Sequence, residues 1–268
     1  MKKMMLLLLF VLSGLSASAQ CSSSNSAFKS GETLIYDLYF NWKFVWIKVG
    51  SASMNTTQTV YGGHPAYRTY LITRGSKKAD NIFVMRDTLM SYMGLDLVPK
   101  YYIKKALEGK TYRRNEVWYS YPKGQCSIKM RYQRDNNPAK YSNSTSKYCG
   151  FDMISMLMRA RSFSAEQMKV GHRINFLMPD GRTCEWKSIV YRGKKTFKME
   201  NTNVKYCCLV FSFLEKEKGK EKEIVTFYVT DDKNHLPVRL DMNLNFGTAK
   251  AFLRGANGLR NPQTAKIK

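Results

Sequence analysis

From Gly31 onward, apolar and polar residues alternate with a period of two, and Gly, Pro, Asn and Asp interrupt the alternation at intervals. That rhythm places successive side chains on opposite faces of a half-buried strand. Leu34, Tyr36, Leu38, Phe40 and Trp42 line one face of the first predicted strand, with Asp37 and Asn41 on the other. A second strand over Val45–Thr57 carries Gly50, Ser51, Ala52 and Ser53, small residues that predict a close approach by something bulky. After a Gly62-Gly63 turn, Tyr67–Thr73 is strand-like again, and Lys77–Met93 suits a helix followed by a strand. Further strands are predicted at Val98–Ala106, Thr111–Tyr121, Gln125–Arg134 and Ile174–Met178, separated by the turn segments Pro122-Lys123-Gly124 and Pro179-Asp180-Gly181. Asn136–Lys147 is polar and turn-rich, and is expected to be a long surface loop.

The period changes once. Phe151–Arg161 has Asp152, Ser155 and Arg159 on a single polar stripe of a cylinder otherwise coated by Phe151, Met153, Ile154, Met156, Leu157 and Met158. So wide an apolar surface belongs to a helix packed into a concave sheet. Strands then resume at Glu185–Tyr191, Tyr206–Leu214 and Ile224–Thr230, with Glu215–Glu223 as a charged hairpin tip around Gly219. Arg239, Asp241, Asn243 and Asn245 interleave with Leu240, Met242, Leu244 and Phe246 in the cleanest half-buried strand, and Ala249–Leu253 follows Gly247 as its hairpin partner. The basic tail from Gly255 is expected to be disordered. There is no internal repeat and no convincing linker. The predicted fold is mainly β, a strongly curved antiparallel sheet or partly closed barrel with one packed helix, in a single domain over residues 20–254.

The N-terminus changes the picture of where this fold resides. Lys2 and Lys3, an apolar run over Met4–Leu12, and Ala17 and Ala19 in an A-x-A arrangement form a secretory leader over residues 1–19. The run is too short for a permanent membrane span. Lipid attachment at Cys21 is a second reading, but Gln20 directly before it fits that signal poorly, and cleavage after Ala19 fits better. The expected location is the periplasm, with outer-membrane association as a variant. The chain has 44 basic and 20 acidic residues, a net charge of +24, two less once Lys2 and Lys3 leave. Such a balance attracts anions. In the envelope these are lipid headgroups, glycolipid phosphates and acidic glycans, so the expected partners are a lipid, a glycolipid or an envelope protein, with peripheral membrane contact at most. Nucleic acid is excluded by export.

Six cysteines, Cys21, Cys126, Cys149, Cys184, Cys207 and Cys208, permit disulfides in an oxidising compartment, but spacing does not give their connectivity. Cys207 and Cys208 point to opposite faces of a strand. No C-x-x-C is present. His64, His172 and His235 lack metal-ligand spacing, and His64 and His235 look like exposed loop residues. No nucleophile elbow, phosphate loop or H-E-x-x-H occurs. The expectation is therefore a protein that is not an enzyme and holds no metal or cofactor; a hydrolase using Asp152 or Asp232 is the remote alternative. Asp231-Asp232 before Lys233-Asn234 is favoured as a turn.

Two groups of residues carry a binding reading. Asp152, Ser155 and Arg159, with Met153, Met156 and Leu157, would line a pliable groove between helix and sheet. The competing reading, which is favoured for the polar three, is a capped helix bonded to the sheet. Lys104, Arg113, Arg114, Tyr112 and Trp118, with Lys100, Tyr101, Tyr102, Lys105, Lys110, Tyr119 and Tyr121 around them, form either a basic and aromatic binding surface or the ordinary occupants of two strand faces.

Three segments then resemble the bacterial domain-of-unknown-function family numbered 3108, found in envelope proteins. They are Gly31-Glu32-Thr33-Leu34-Ile35-Tyr36 with Gly50, Asp152-Met153-Ile154-Ser155 with Arg161, and Asp231 to Pro237-Val238 with Gly247 and Leu253. Tyr228 stands where that pattern usually has Trp. The resemblance implies a signal peptide and a β-rich fold, and brings no established activity. The functional expectation is an exported accessory or binding protein for a lipid, glycan or protein partner; the rival is an assembly factor held at an anionic surface by its charge.

Overall fold

The computed structural model describes residues 21–42, 45–166, 168–200, 202–217, 219–244 and 247–267, without the side chain of Trp42. The predicted leader lies outside these residues, as do Asn245 and Phe246 of the late strand. The first half is a meander: β1 (Glu32–Trp42), β2 (Val45–Tyr61), β3 (His64–Gly75), α1 (Lys77–Asp80), β4 (Met85–Gly94), β5 (Pro99–Glu108), β6 (Thr111–Ser120), β7 (Cys126–Arg134) and β8 (Lys140–Ser146). After helix α2 (Met153–Ala160) comes a second meander: β9 (Arg173–Pro179), β10 (Cys184–Lys198), β11 (Lys205–Glu217), β12 (Lys220–Thr230), β13 (Pro237–Leu244) and β14 (Gly247–Asn257), with a short β15 (Lys266–Ile267).

The fifteen strands make one antiparallel sheet ordered β8-β7-β6-β5-β4-β3-β2-β1-β14-β13-β12-β11-β10-β9, with β15 on β11. β1 pairs with β14, so the two meanders join at the middle and leave β8 and β9 as opposite edges. α2 belongs to the connection between those edges. In a strongly curved sheet the direct route from one edge to the other runs across the concave face, and that connectivity explains why the helix is enclosed. Ile154 and Met158 enter the main core with Leu34, Tyr36, Met93 and Val117, while Met156 joins Phe151 and Phe176 in a second cluster. Burying each such side chain contributes roughly 1.5–3 kcal/mol.

The sheet does not close through a continuous ladder, yet its ends meet. Phe151 N donates to Leu177 O at 2.9 Å, Gly150 bridges Leu177 in parallel, and Asn115 Nδ2 donates to Asp180 O at 2.9 Å. The Pro179-Asp180-Gly181 turn, closed by Asp180 Oδ1 accepting from the backbone of Arg182 and Thr183, rests against β6 and β7.

Of the small residues of β2, Gly50 shows a close approach, and it is by the backbone of β3, not by a bulky side chain; Ser51 is exposed. A Cβ on Gly50 would stand 2.2 Å from Arg74 O, and Ala52 lies opposite Tyr36. Two further expectations are corrected. The supposed loop over Asn136–Lys147 contains β8, whose backbone pairs with β7 from Lys140 to Ser146; an edge strand exposed on both sides has no apolar face to betray it. The tail after Gly255 is folded: β14 continues to Asn257, Ala265 is buried, and β15 docks on β11. Its order comes from backbone and amide bonds to the body, which composition does not reveal.

Candidate functional site

α2 is fixed at both ends by buried polar groups. Asp152 is its N-cap: Oδ1 accepts from Ile154 N at 3.0 Å and Ser155 N at 2.9 Å. Such a cap satisfies amides that have no partner inside the helix. Oδ2 accepts from Ser155 Oγ at 2.8 Å, Ser91 Oγ of β4 at 3.1 Å and the Tyr119 hydroxyl of β6 at 3.3 Å. Burial pushes the Asp152 carboxyl up against the pull of these bonds, and burial likewise raises Tyr119 and Tyr102 well above the ordinary phenol range. Asp152 and Ser155 have no solvent exposure. They tie helix to sheet and do not face a ligand groove, which corrects their assignment as ligand contacts.

The other end is held by Arg161, buried in full. Its Nη1 and Nη2 fork onto Glu32 Oε1 and Oε2 at 2.5 and 2.9 Å, and its Nε donates to Asn234 O at 3.1 Å. The guanidinium lies 5.5 Å from the Phe28 ring centre. His235 Nδ1 is 2.6 Å from Arg161 O and must be the donor, since a carbonyl only accepts; this half-buried histidine is not the exposed loop residue expected. Asp232 Oδ1 takes Thr230 Oγ1 and Asn234 N, and its Oδ2 takes Ala265 N. That supports the turn reading of Asp231-Asp232, with both Asp232 oxygens bonded within the turn and to the C-terminal segment. Asn234 in turn clamps the tail through Asn261 and Pro262. The knot thus joins β1, the end of α2, the β12–β13 turn and the C-terminal segment.

Cys21 forms a disulfide with Cys149, Cα to Cα 5.5 Å. A sulfur so engaged cannot carry a thioether lipid, which corrects that candidate. Cys126, Cys184, Cys207 and Cys208 are free thiols, with Cys208 buried and Cys207 half-buried on the opposite strand face.

Beside the helix, Phe151, Met156, Arg159, Phe163, Met168, Ile174 and Phe176 surround much of a groove of 430 Å³ between α2, the segment after it and β9. Arg159 is its cation. Nη1 donates to Cys21 O at 2.6 Å, and the guanidinium lies 4.8 Å over the Phe151 ring. Burial lowers the Arg159 pKa, and Asp96 offsets this only at longer range. Of the predicted groove residues, Met156 and Arg159 take part; Leu157 packs on the main core and Met153 stands exposed away from the groove lining.

The proposed basic and aromatic patch is divided by strand alternation. Lys104 and Arg113 share Glu108 on the concave side, near Asp87, whose carboxyl is raised to about 6 by burial, with Lys104 pulling the other way. Tyr112, Arg114 and Trp118 project from the convex side. There Arg114 and Arg131 pair with Glu116 at 2.9 Å, and Tyr101 donates to the same carboxylate at 2.7 Å. Tyr92, Tyr101 and Trp118 lie directly opposite one another on successive strands, with Lys129 next in register. No group of three or more His, Cys, Asp or Glu side chains among the described residues is arranged to hold a metal.

A family model described as "Protein of unknown function (DUF3108)" matches residues 35–254. The chain belongs to that family. No curated protein matches it. Among solved structures, this DUF3108 chain is similar to a β-barrel-like protein of domain of unknown function DUF1849 from Brucella abortus, with a TM-score of 0.55 and 10% identity over 88% of this chain and 100% of the other. At that identity the likeness speaks for the fold alone.

The three segments that carried the resemblance supply Glu32, Arg161 and Asn234, and the fold brings them into one buried knot. Sequence reasoning did not pair them, because 129 residues separate Glu32 from Arg161. The sequence places Asp152 within the first turn of a helix from Phe151; the structure starts the helix at Met153 and makes Asp152 its N-cap. Phe163, Met168, Ile174 and Phe176 carried no signal for the groove, since they belong to an irregular segment and to an edge strand.

Proposed function

We propose that this DUF3108 chain is an exported envelope protein without catalytic activity, and that its groove between α2 and β9 binds an amphiphile with an anionic head. The observation that carries the reading is Arg159: a cation pushed toward its neutral form by burial, set among aromatic and Met side chains, and without a carboxylate in ion-pair range among the described residues. A desolvated cation gains most from an anion that arrives with its own apolar surface. Met156 and Met168 supply walls that adapt to an acyl chain. The leader pattern, with Lys2, Lys3 and the small residues before Gln20, supports export, and the Cys21–Cys149 disulfide suits an oxidising compartment.

The test is direct binding of oleate and of its uncharged methyl ester to the mature protein. Oleate is expected to bind saturably, and Arg159→Gln to weaken it about tenfold while leaving the ester unaffected. Absence of saturable oleate binding, or equal affinity in wild type and variant, overturns the reading. Intact mass of the protein from its host is expected to begin at Gln20. The net charge of +24 favours a second role, docking on an anionic surface; that role alone predicts vesicle binding which fades with salt and ignores Arg159.

A further inference from the structure

A second cavity, of 480 Å³, lies on the other side of β9 and is lined by Arg173, Asn175, Trp186, Ser188, Leu214, Glu215, Lys216 and Glu221. Only Asn175 also touches the groove beside α2. We propose that this cavity is a binding site for a neutral oligosaccharide.

Trp186 is the aromatic member of this lining. The residue is 48% exposed, a costly placement for the largest aromatic residue. It is not loose: its ring meets that of Tyr148 edge to face, centroids 5.1 Å apart at 76°. Tyr148 comes from the segment after β8, so the opposite edge of the sheet braces the indole. Two residues along β10, Ser188 projects from the same face and lies directly opposite Asn175. Asn175 Oδ1 accepts from Ser188 Oγ at 2.7 Å, which orients the amide and leaves its two N–H donors unused by that bond. Arg173 forks onto Glu221 at 2.6 and 3.0 Å, pairing a guanidinium with a carboxylate, with Lys216 opposite Glu221 in register.

Charge selects the ligand. The chain has 44 basic residues against 20 acidic ones, yet this lining holds two of each, Arg173 and Lys216 against Glu215 and Glu221. An anionic chain would meet two carboxylates here, and an acyl chain would strand the polar rim without partners. A pyranose satisfies both features: its C–H face packs on an indole, and its hydroxyls both donate to carboxylates and accept from amide and guanidinium groups.

The experiment is calorimetric titration of the mature protein with maltohexaose, cellohexaose, chitohexaose and, as the acidic comparison, hexagalacturonate. At least one neutral hexasaccharide is expected to bind saturably, with an affinity little changed between about 0.05 and 0.5 M salt. Trp186→Ala is expected to weaken that binding at least about tenfold while leaving oleate binding and the circular dichroism spectrum intact. Glu221→Gln, a change in an exposed ion pair, is expected to leave the circular dichroism spectrum intact and to weaken the binding as well. Failure of every neutral hexasaccharide to bind, binding limited to hexagalacturonate and lost in high salt, or indifference to Trp186→Ala overturns the proposal. None of these outcomes bears on Arg159, so the two sites succeed or fail separately.

Discussion

Replacing Arg161 with Met should be among the most damaging single changes in this protein. Met keeps much of the apolar stem but removes every charged donor. The Glu32 carboxylate, whose side chain is fully buried, is then an uncompensated charge, and Asn234 O loses its Nε donor. Breaking a buried pair from one side costs about 3–5 kcal/mol, much of it the desolvation of the survivor. Against a total stability of roughly 5–15 kcal/mol this is a large share, and for a chain of this size it corresponds to a fall in Tm of roughly 10 °C. Glu32→Leu with Arg161→Met removes both charges, so the pair of changes should cost less than Arg161→Met alone plus Glu32→Leu alone by about 2 kcal/mol or more. Urea unfolding followed by far-ultraviolet circular dichroism supplies all four corners of the cycle. A single-variant loss below about 1 kcal/mol, or additive effects, would refute the view that Glu32 and Arg161 depend on each other for burial.

Cys21→Ser with Cys149→Ser opens a link spanning 128 residues and should lower stability by roughly 2–5 kcal/mol, read as a shift in the urea midpoint that added reductant reproduces in the wild type. Asp87 provides a pH test. Its native pKa of about 6 lies above the ordinary value of 3.8, so the native state holds the extra proton between these values and stability falls as pH rises through the window. Asp87→Asn should match wild type near pH 4 and exceed it near pH 7, by on the order of 1 kcal/mol once solvent screening of this half-buried site is included; a variant that is weaker at pH 7 contradicts the assignment. Gly181 and Gly171 separate strain from crowding. Both have φ near +90°, but a Cβ at Gly181 meets Asn115 Cβ at 2.7 Å and Glu116 N at 2.9 Å, whereas Gly171 faces open space. Gly171→Ala should cost about 1 kcal/mol and Gly181→Ala at least about twice that, and equal losses would show that the sheet ends do not press together there.

The alternation of Leu34, Tyr36 and Leu38, the punctuation at Gly62-Gly63 and Pro179-Asp180-Gly181, and the single change of period at Phe151 were enough to specify a curved antiparallel sheet around one helix. These are local signals: side-chain direction follows from backbone geometry, and turn residues act within four positions. Polar β8 escaped because an edge strand is held by backbone bonds that leave no mark in its side chains. The division of Lys104 and Arg113 from Arg114 and Trp118 was implicit in the same alternation, once the strand register was known. Tertiary structure alone decided the rest. It joined β1 to β14, made β8 and β9 the edges, and so sent α2 across the concave face. It also brought Glu32 to Arg161, Cys21 to Cys149 and Tyr148 to Trp186. Each pair lies far apart along the chain, and their meeting depends on how fifteen strands curve together, a property of the whole sheet that no local stretch of residues encodes.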